Sequence, residues 1–286
     1  MNKIYCIGSL FNRIDQLEKL LLSLDSSDKV YCIGNLGFDT SQHQSQITYL
    51  YIYNIIHQNN PKLPKIYIIK GKHETEDYFK AKFFNSLAIE SGYQYIKNMN
   101  LSQLFDFNQP FPNQQVIYEF FFKQKPLEII NDKFVLISGY FDPNLSLNNQ
   151  ITDINMENNI YNNSPFKINF TYYNFCKNNK LKLWSKKSYL DFMNTDINYF
   201  GFKTIDQYNI ALKNNFKDYF FIFGHGYDPM FKKNLSYTNF SNMVMIDGGM
   251  GKAYNDEGWF YFLPSQEQLN IVCIDENHNI TYIVQK

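Results

Sequence analysis

The chain has 286 residues, with 27 Lys and Arg against 27 Asp and Glu, so it is long enough to bury a sizeable core and is electrically balanced. That balance excludes a partner recruited by bulk charge, and neither nucleic acid nor an anionic membrane surface is indicated. Arg occurs only at Arg13, which leaves Lys to make any phosphate contact that elsewhere uses the guanidinium fork.

Lys3 to Gly8 is a short apolar run that predicts a first strand, and Ile14, Leu17, Leu20, Leu21 and Leu24 then fall on one helical face. Lys29 to Gly34 repeats the strand pattern, Gln44 to His57 reads as a second helix, and Lys65 to Lys70 is a third strand after Pro61 and Pro64. Strands alternating with helices predict a largely parallel sheet with crossovers. A helix is expected from Glu76 to Glu90, followed by two β-rich runs, Gln115 to Phe122 and Lys133 to Ser138, able to pair as a hairpin. Asn144 to Asn179 is rich in Asn and lacks apolar periodicity, so it reads as an irregular insertion. After Trp184 a helical stretch leads to Asp218. Tyr219 to Gly224, Met243 to Asp247, Trp259 to Leu263, Asn270 to Ile274 and Thr281 to Val284 then read as strands, the last of them a meander. The expected architecture is α/β: one domain spanning 1–286, a two-layered β core flanked by helices, and an insertion around 144–179.

Cys6, Cys32, Cys176 and Cys273 show no paired spacing, and three lie in apolar runs, which reads as buried free thiols. Met1-Asn2-Lys3 leads straight into the first strand without a signal-peptide pattern, and no run is apolar enough to span a membrane. A soluble intracellular protein is expected. Heavy use of Asn, Ile, Lys, Tyr and Phe fits an A+T-rich genome, so the compartment is either the cytoplasm or an organelle such as a plastid or mitochondrion. The runs Phe120 to Phe122, Tyr219 to Phe221 and Trp259 to Phe262 are too dense for one strand face. Exposed aromatics of this kind mark contacts with other proteins, although coding bias raises Phe and Tyr as well.

Chemistry in α/β folds gathers on loops beyond the carboxyl ends of strands. The candidate loops are Gly8-Ser9-Leu10-Phe11-Asn12, Gly34-Asn35-Leu36-Gly37-Phe38-Asp39, Gly71-Lys72-His73-Glu74, Ser138-Gly139-Tyr140, Leu183-Trp184-Ser185-Lys186, Gly224-His225-Gly226 and Ile246-Asp247-Gly248. In order and spacing they resemble the calcineurin-like metallophosphoesterases, within them the phosphoprotein-phosphatase and diadenosine-tetraphosphatase branch. That resemblance implies a four-layer α/β/β/α sandwich with mixed sheets. It also carries the family's metal-ligand positions onto Ser9, Phe11, Asn35, Lys72, Ser138 and His225, of which only His225 keeps a ligand type. Two divalent ions roughly 4 Å apart repel by about 17 kcal/mol at an effective dielectric of about 20, and neutral Ser9 and Asn35 would not offset this.

The resemblance therefore implies a degenerate member. No metal and no catalysis are expected, His73 and Glu74 are vestiges of a general-acid pair, and the chain is a pseudoenzyme scaffold contacting proteins of a larger assembly. Two alternatives stand beside it. One is a working phosphoesterase rebuilt around one divalent ion near His225, with His73, Asp39 and Asp247. The other is a non-hydrolytic phosphate or nucleotide binder using Lys70, Lys72 and Lys186. His43, His57 and His278 read as solvated surface residues.

Overall fold

The computed structural model describes residues 2–10, 12–37, 42–71, 74, 94–107, 112–138, 142–149, 205–224, 242–246, 253–254, 260–261 and 269–285. In chain order these form β1 (Ile4–Ile7), α1 (Ile14–Ser23), β2 (Lys29–Ile33), α2 (Gln42–Gln58), β3 (Lys65–Ile69), a 3-10 turn at Asn100–Leu104, α3 (Gln114–Phe122), β4 (Leu127–Ile130) and β5 (Phe134–Ile137). After these come α4 (Ile205–Asn215), β6 (Phe220–Phe223), β7 (Met243–Met245), β8 (Ala253–Tyr254), β9 (Phe260–Tyr261), β10 (Leu269–Ile274) and β11 (Ile280–Gln285). Cys6, Cys32 and Cys273 are buried free thiols.

Two mixed sheets carry the fold. The first runs β11-β10-β1-β2-β3, parallel from β1 to β3 and antiparallel across β1, β10 and β11. The second runs β4-β5-β6-β7, with β4 antiparallel to β5 and the rest parallel. Side chains alternate across each strand, and the three cores follow that alternation. Ile4, Cys6, Tyr31, Ile33, Ile69, Val272 and Ile274 of the first sheet meet Phe134, Leu136, Ile222 and Val244 of the second in one apolar layer. On the other face of the first sheet, Tyr5, Ile7, Val30, Cys32, Ile66, Ile68 and Ile271 pack against α1, α2, α3 and the 3-10 turn. Val135, Ile137, Phe221, Phe223 and Met243 of the second sheet pack against Tyr208 and Leu212 of α4. The result is a helix, sheet, sheet, helix sandwich.

The segment expected as a strand from Gln115 is helix α3. Its Val, Ile, Tyr and Phe favour strands, but Asn113 caps it by accepting the Gln115 N–H at 2.8 Å, and Ile117, Tyr118 and Phe121 share one buried face. The partner of β5 is instead β4, a four-residue strand with its Glu128 half-buried. The first sheet is mixed rather than largely parallel, because the β10–β11 hairpin adds to β1 and closes the sheet across the length of the sequence. The helix expected from Glu76 to Glu90 lies outside the described residues, as does Cys176 and all of the Asn-rich insertion beyond Asn149. No helix among the described residues is long and apolar enough to cross a membrane.

Candidate functional site: the rim where five strands end

The carboxyl ends of β1, β2, β3, β5 and β6 converge on one rim, where backbone and side-chain hydrogen bonds join the loops. Gly34 donates its N–H to Ile69 at 2.7 Å, Gly224 to Ile137 at 2.9 Å and Leu10 to Asn35 at 3.1 Å. Gly34 has φ +70° and Asn35 φ +48°, a left-handed pair that Gly and Asn adopt at least cost. A Cβ on Gly34 would overlap Ser138 Oγ, and one on Gly71 would stand 2.6 Å from the Asn35 amide nitrogen. These loops touch through glycine because nothing larger fits.

Backbone amides brought together in a turn can face a common point and make an anion-binding concavity. Here a carboxylate of the chain itself occupies it. Glu74, fully buried, accepts the N–H of Leu36 at 2.6 Å, of Gly71 at 2.7 Å and of Asn35 at 3.1 Å. Burial holds its pKa above the ordinary carboxylate value, while those amides pull it back down. One side chain thus ties the loop after β3 to the loop after β2.

Ser9, Asn35 and Ser138 are brought together on this rim, all buried. Asn35 Nδ2 donates to Ser9 Oγ at 3.2 Å, and Ser9 Oγ donates to the Gly224 carbonyl at 3.0 Å. The described rim residues do not fit a two-metal centre, because Ser9 and Asn35 are neutral and bonded to protein and the one carboxylate is held by three amides. No group of three His, Cys, Asp or Glu among the described residues could hold an ion. Lys70, a candidate anion ligand, is 1% exposed. Its Nζ donates to the Phe122 carbonyl at the end of α3 at 2.8 Å and lies 4.7 Å from the Phe122 ring centroid. Burial pushes its pKa down to about 8. Phe11, Asp39, Lys72, His73, Lys186, His225 and Asp247 lie outside the described residues, as does His43 as far as its side chain is concerned.

His57 is exposed, though its ring stacks on Tyr53 at 3.7 Å. His278 is half-buried, in a turn at φ +64°. The bracing role of Glu74 is absent from the sequence reading, which treated it as an acid partner. Its spacing permits the brace, since a Glu three residues after a strand-terminal Gly can fold back onto that glycine's amide, but does not distinguish it from an outward acid.

No family model matches the sequence, and no curated protein matches it. Solved structures do match its fold, two cold-active phosphatases among them. One is the cold-active protein-tyrosine phosphatase of a psychrophile, Shewanella sp., with TM-score 0.52 and 12% identity over 100% of this chain and 81% of that one. The other is a structure of a cold-active protein tyrosine phosphatase, with TM-score 0.50 and 12% identity over 99% of this chain and 78% of that one. At such identity the likeness shows the fold alone, a phosphatase-related α/β sandwich.

These findings correct two expectations. The assignment to the calcineurin-like metallophosphoesterases is overturned, since no family model carries it and the matching structures are named protein-tyrosine phosphatases. The expectation that the chain is not an enzyme is corrected as well, since the solved structures that share its fold are named protein-tyrosine phosphatases. The physical reason is that lost metal ligands imply lost hydrolysis only if the chemistry is the two-metal kind. Without the family correspondence, Ser9, Phe11, Asn35, Lys72 and Ser138 were never required to be ligands.

Proposed function

We propose that the chain is a phosphatase acting on phosphate monoesters at this rim. The observation that carries the reading is the Glu74 brace. It fixes Gly71 and Glu74 to the loop after β2, so Lys72 and His73 are bounded in sequence by two anchored residues. A Lys there supplies charge for a phosphoryl group, and a His titrates in the range a general acid needs. In hydrolysis water adds to phosphorus, the P–O bond to the leaving group breaks, His73 gives its proton to that oxygen, and the proton the added water loses returns to His73. His225 follows Gly224 in sequence, whose carbonyl Ser9 holds, and is a second candidate imidazole. Pairing of β1 with β10 supports reading 1–286 as one domain.

A second reading, phosphate binding without hydrolysis, is favoured by the rim's neutral groups and by the occupation of its anion concavity. Turnover of an aryl phosphate, measured with chelator and again with added manganese, separates the two. The phosphatase reading expects turnover that falls about 100-fold or more in His73→Ala, the usual size of a lost general acid. Binding alone expects protection by inorganic phosphate that is lost in Lys72→Ala, with no turnover under either condition.

A further inference from the structure

The phosphatase reading gives chemistry to Lys72, His73 and His225, and none to the neutral pair Ser9 and Asn35. That pair is nevertheless bonded in a definite direction. A serine hydroxyl has one proton to give. Asn35 Nδ2 donates to Ser9 Oγ at 3.2 Å, so the Ser9 proton goes to its other neighbour, the Gly224 carbonyl, at 3.0 Å. The Ser9 N–H donates to the same carbonyl at 3.2 Å. One residue thus offers two donors to the first carbonyl beyond β6. Gly224 is confined on its other sides as well: its N–H donates to Ile137 at 2.9 Å, and a Cβ on it would overlap the Ile33 carbonyl oxygen.

Asn35 is engaged at its backbone too. Its N–H donates to Glu74 at 3.1 Å and its carbonyl accepts the Leu10 N–H at 3.1 Å. Hydrogen bonds therefore run from Glu74 through Asn35 and Ser9 to Gly224 without a break, from the loop after β3 to the loop after β6. All four residues are buried, and in such surroundings each bond is strengthened and polarises the next. Asn suits this joint because it takes the left-handed φ of +48° at low cost and carries a side-chain N–H donor besides.

We propose that Asn35 is a positioning residue for hydrolysis at this rim and acts through Ser9: its amide commits the Ser9 hydroxyl to Gly224, and so holds the loop after β6 in register with the loop that Glu74 braces. This rests on the phosphatase reading. In sequence Gly224 precedes His225, while Gly71 and Glu74 flank Lys72 and His73, so the run joins the anchors of the residues which that reading uses.

The test is turnover of para-nitrophenyl phosphate across pH in Asn35→Gly, Asn35→Asp, Ser9→Ala and the two double variants, each first shown to be folded by circular dichroism and urea unfolding. Gly keeps the left-handed backbone and removes the donor, so kcat should fall roughly tenfold, the worth of about one hydrogen bond, with KM unchanged. Added to Ser9→Ala, the same substitution should cost less than about twofold more, because the hydroxyl it directs is gone. An ionised carboxyl only accepts, whereas a protonated one donates as the amide does. Turnover of Asn35→Asp relative to wild type should therefore recover as pH falls, and Ser9→Ala should abolish that recovery.

Costs that simply add overturn the proposal, since Asn35 then acts independently of Ser9. Recovery that persists without the Ser9 hydroxyl overturns it too, since the effect is then one of charge alone. Should Asn35→Gly fail to fold, the pH profile of Asn35→Asp decides. A wild type without turnover sinks the phosphatase reading instead, and amide exchange then judges the hydrogen-bond run by itself: the Ser9 N–H exchanges faster in Asn35→Gly if Asn35 directs Ser9, and at the wild-type rate if it does not.

Discussion

Glu74 and Glu18 are both buried carboxylates that hold a neighbouring segment by its N–H groups, yet they hold different things. Glu18, on α1, accepts from Asn100 Nδ2 at 2.8 Å and from the Leu101 N–H at 2.9 Å, with the Tyr51 hydroxyl farther off at 3.4 Å. It fastens the 3-10 turn to the helical layer, remote from the strand ends. Glu74 accepts three backbone amides from two loops of the rim. A buried carboxylate is therefore not in itself a sign of chemistry: here one organises packing and the other organises a site.

The comparison predicts a graded series of losses. The largest belongs to Gly34→Ala, which needs φ +70° from an L-residue and drives a methyl into Ser138 Oγ. A loss of roughly 3–5 kcal/mol is expected in urea unfolding, or failure to fold. Glu74→Gln comes next, because an amide side chain offers one acceptor oxygen where three N–H groups point, with an expected cost of about 2–4 kcal/mol. Its pH signature is specific. A carboxyl whose folded pKa is raised stabilises most when protonated, so wild-type stability should fall as pH rises from near 4.5 toward the raised folded value. That slope should vanish in Glu74→Gln.

Glu18→Gln should cost about 1–2 kcal/mol, since the turn keeps its own backbone bonds, and should leave the rim intact. The smallest effect is expected from Lys70→Met. Burial lowers the folded pKa of Lys70 from 10.5 to about 8, so between those values the unfolded chain binds more protons and wild-type stability should rise with pH. Unfolding midpoints measured across that window should show the rise in wild type and a flat response in Lys70→Met.

Much of the sandwich was legible because a short continuous apolar run marks a strand buried on both faces. Ile4 to Ile7, Lys29 to Ile33 and Lys65 to Ile69 each sort cleanly between two cores. Helix α3 was hidden because propensity and burial disagree there, and the Asn113 cap outweighs six β-prone side chains only once tertiary packing is known. β4 was hidden by its length. At the rim, Gly34, Asn35, Gly71 and Ser138 could be placed on strand-end loops from sequence. What could not be read was that Glu74 turns inward to the backbone, since the same Gly-x-x-Glu spacing serves an outward acid equally well. The family assignment went too far for a related reason: short loop motifs fix the order of elements more firmly than they fix the chemistry on them.

The measurement that tests the account most directly is aryl phosphate turnover in Glu74→Gln beside Glu18→Gln, at a temperature where both variants are fully folded. If the Glu74 brace positions the rim, turnover should collapse in Glu74→Gln and stay near wild type in Glu18→Gln. Equal turnover in the two variants, whether both retained or both lost, would contradict the claim that only one of these carboxylates organises the site.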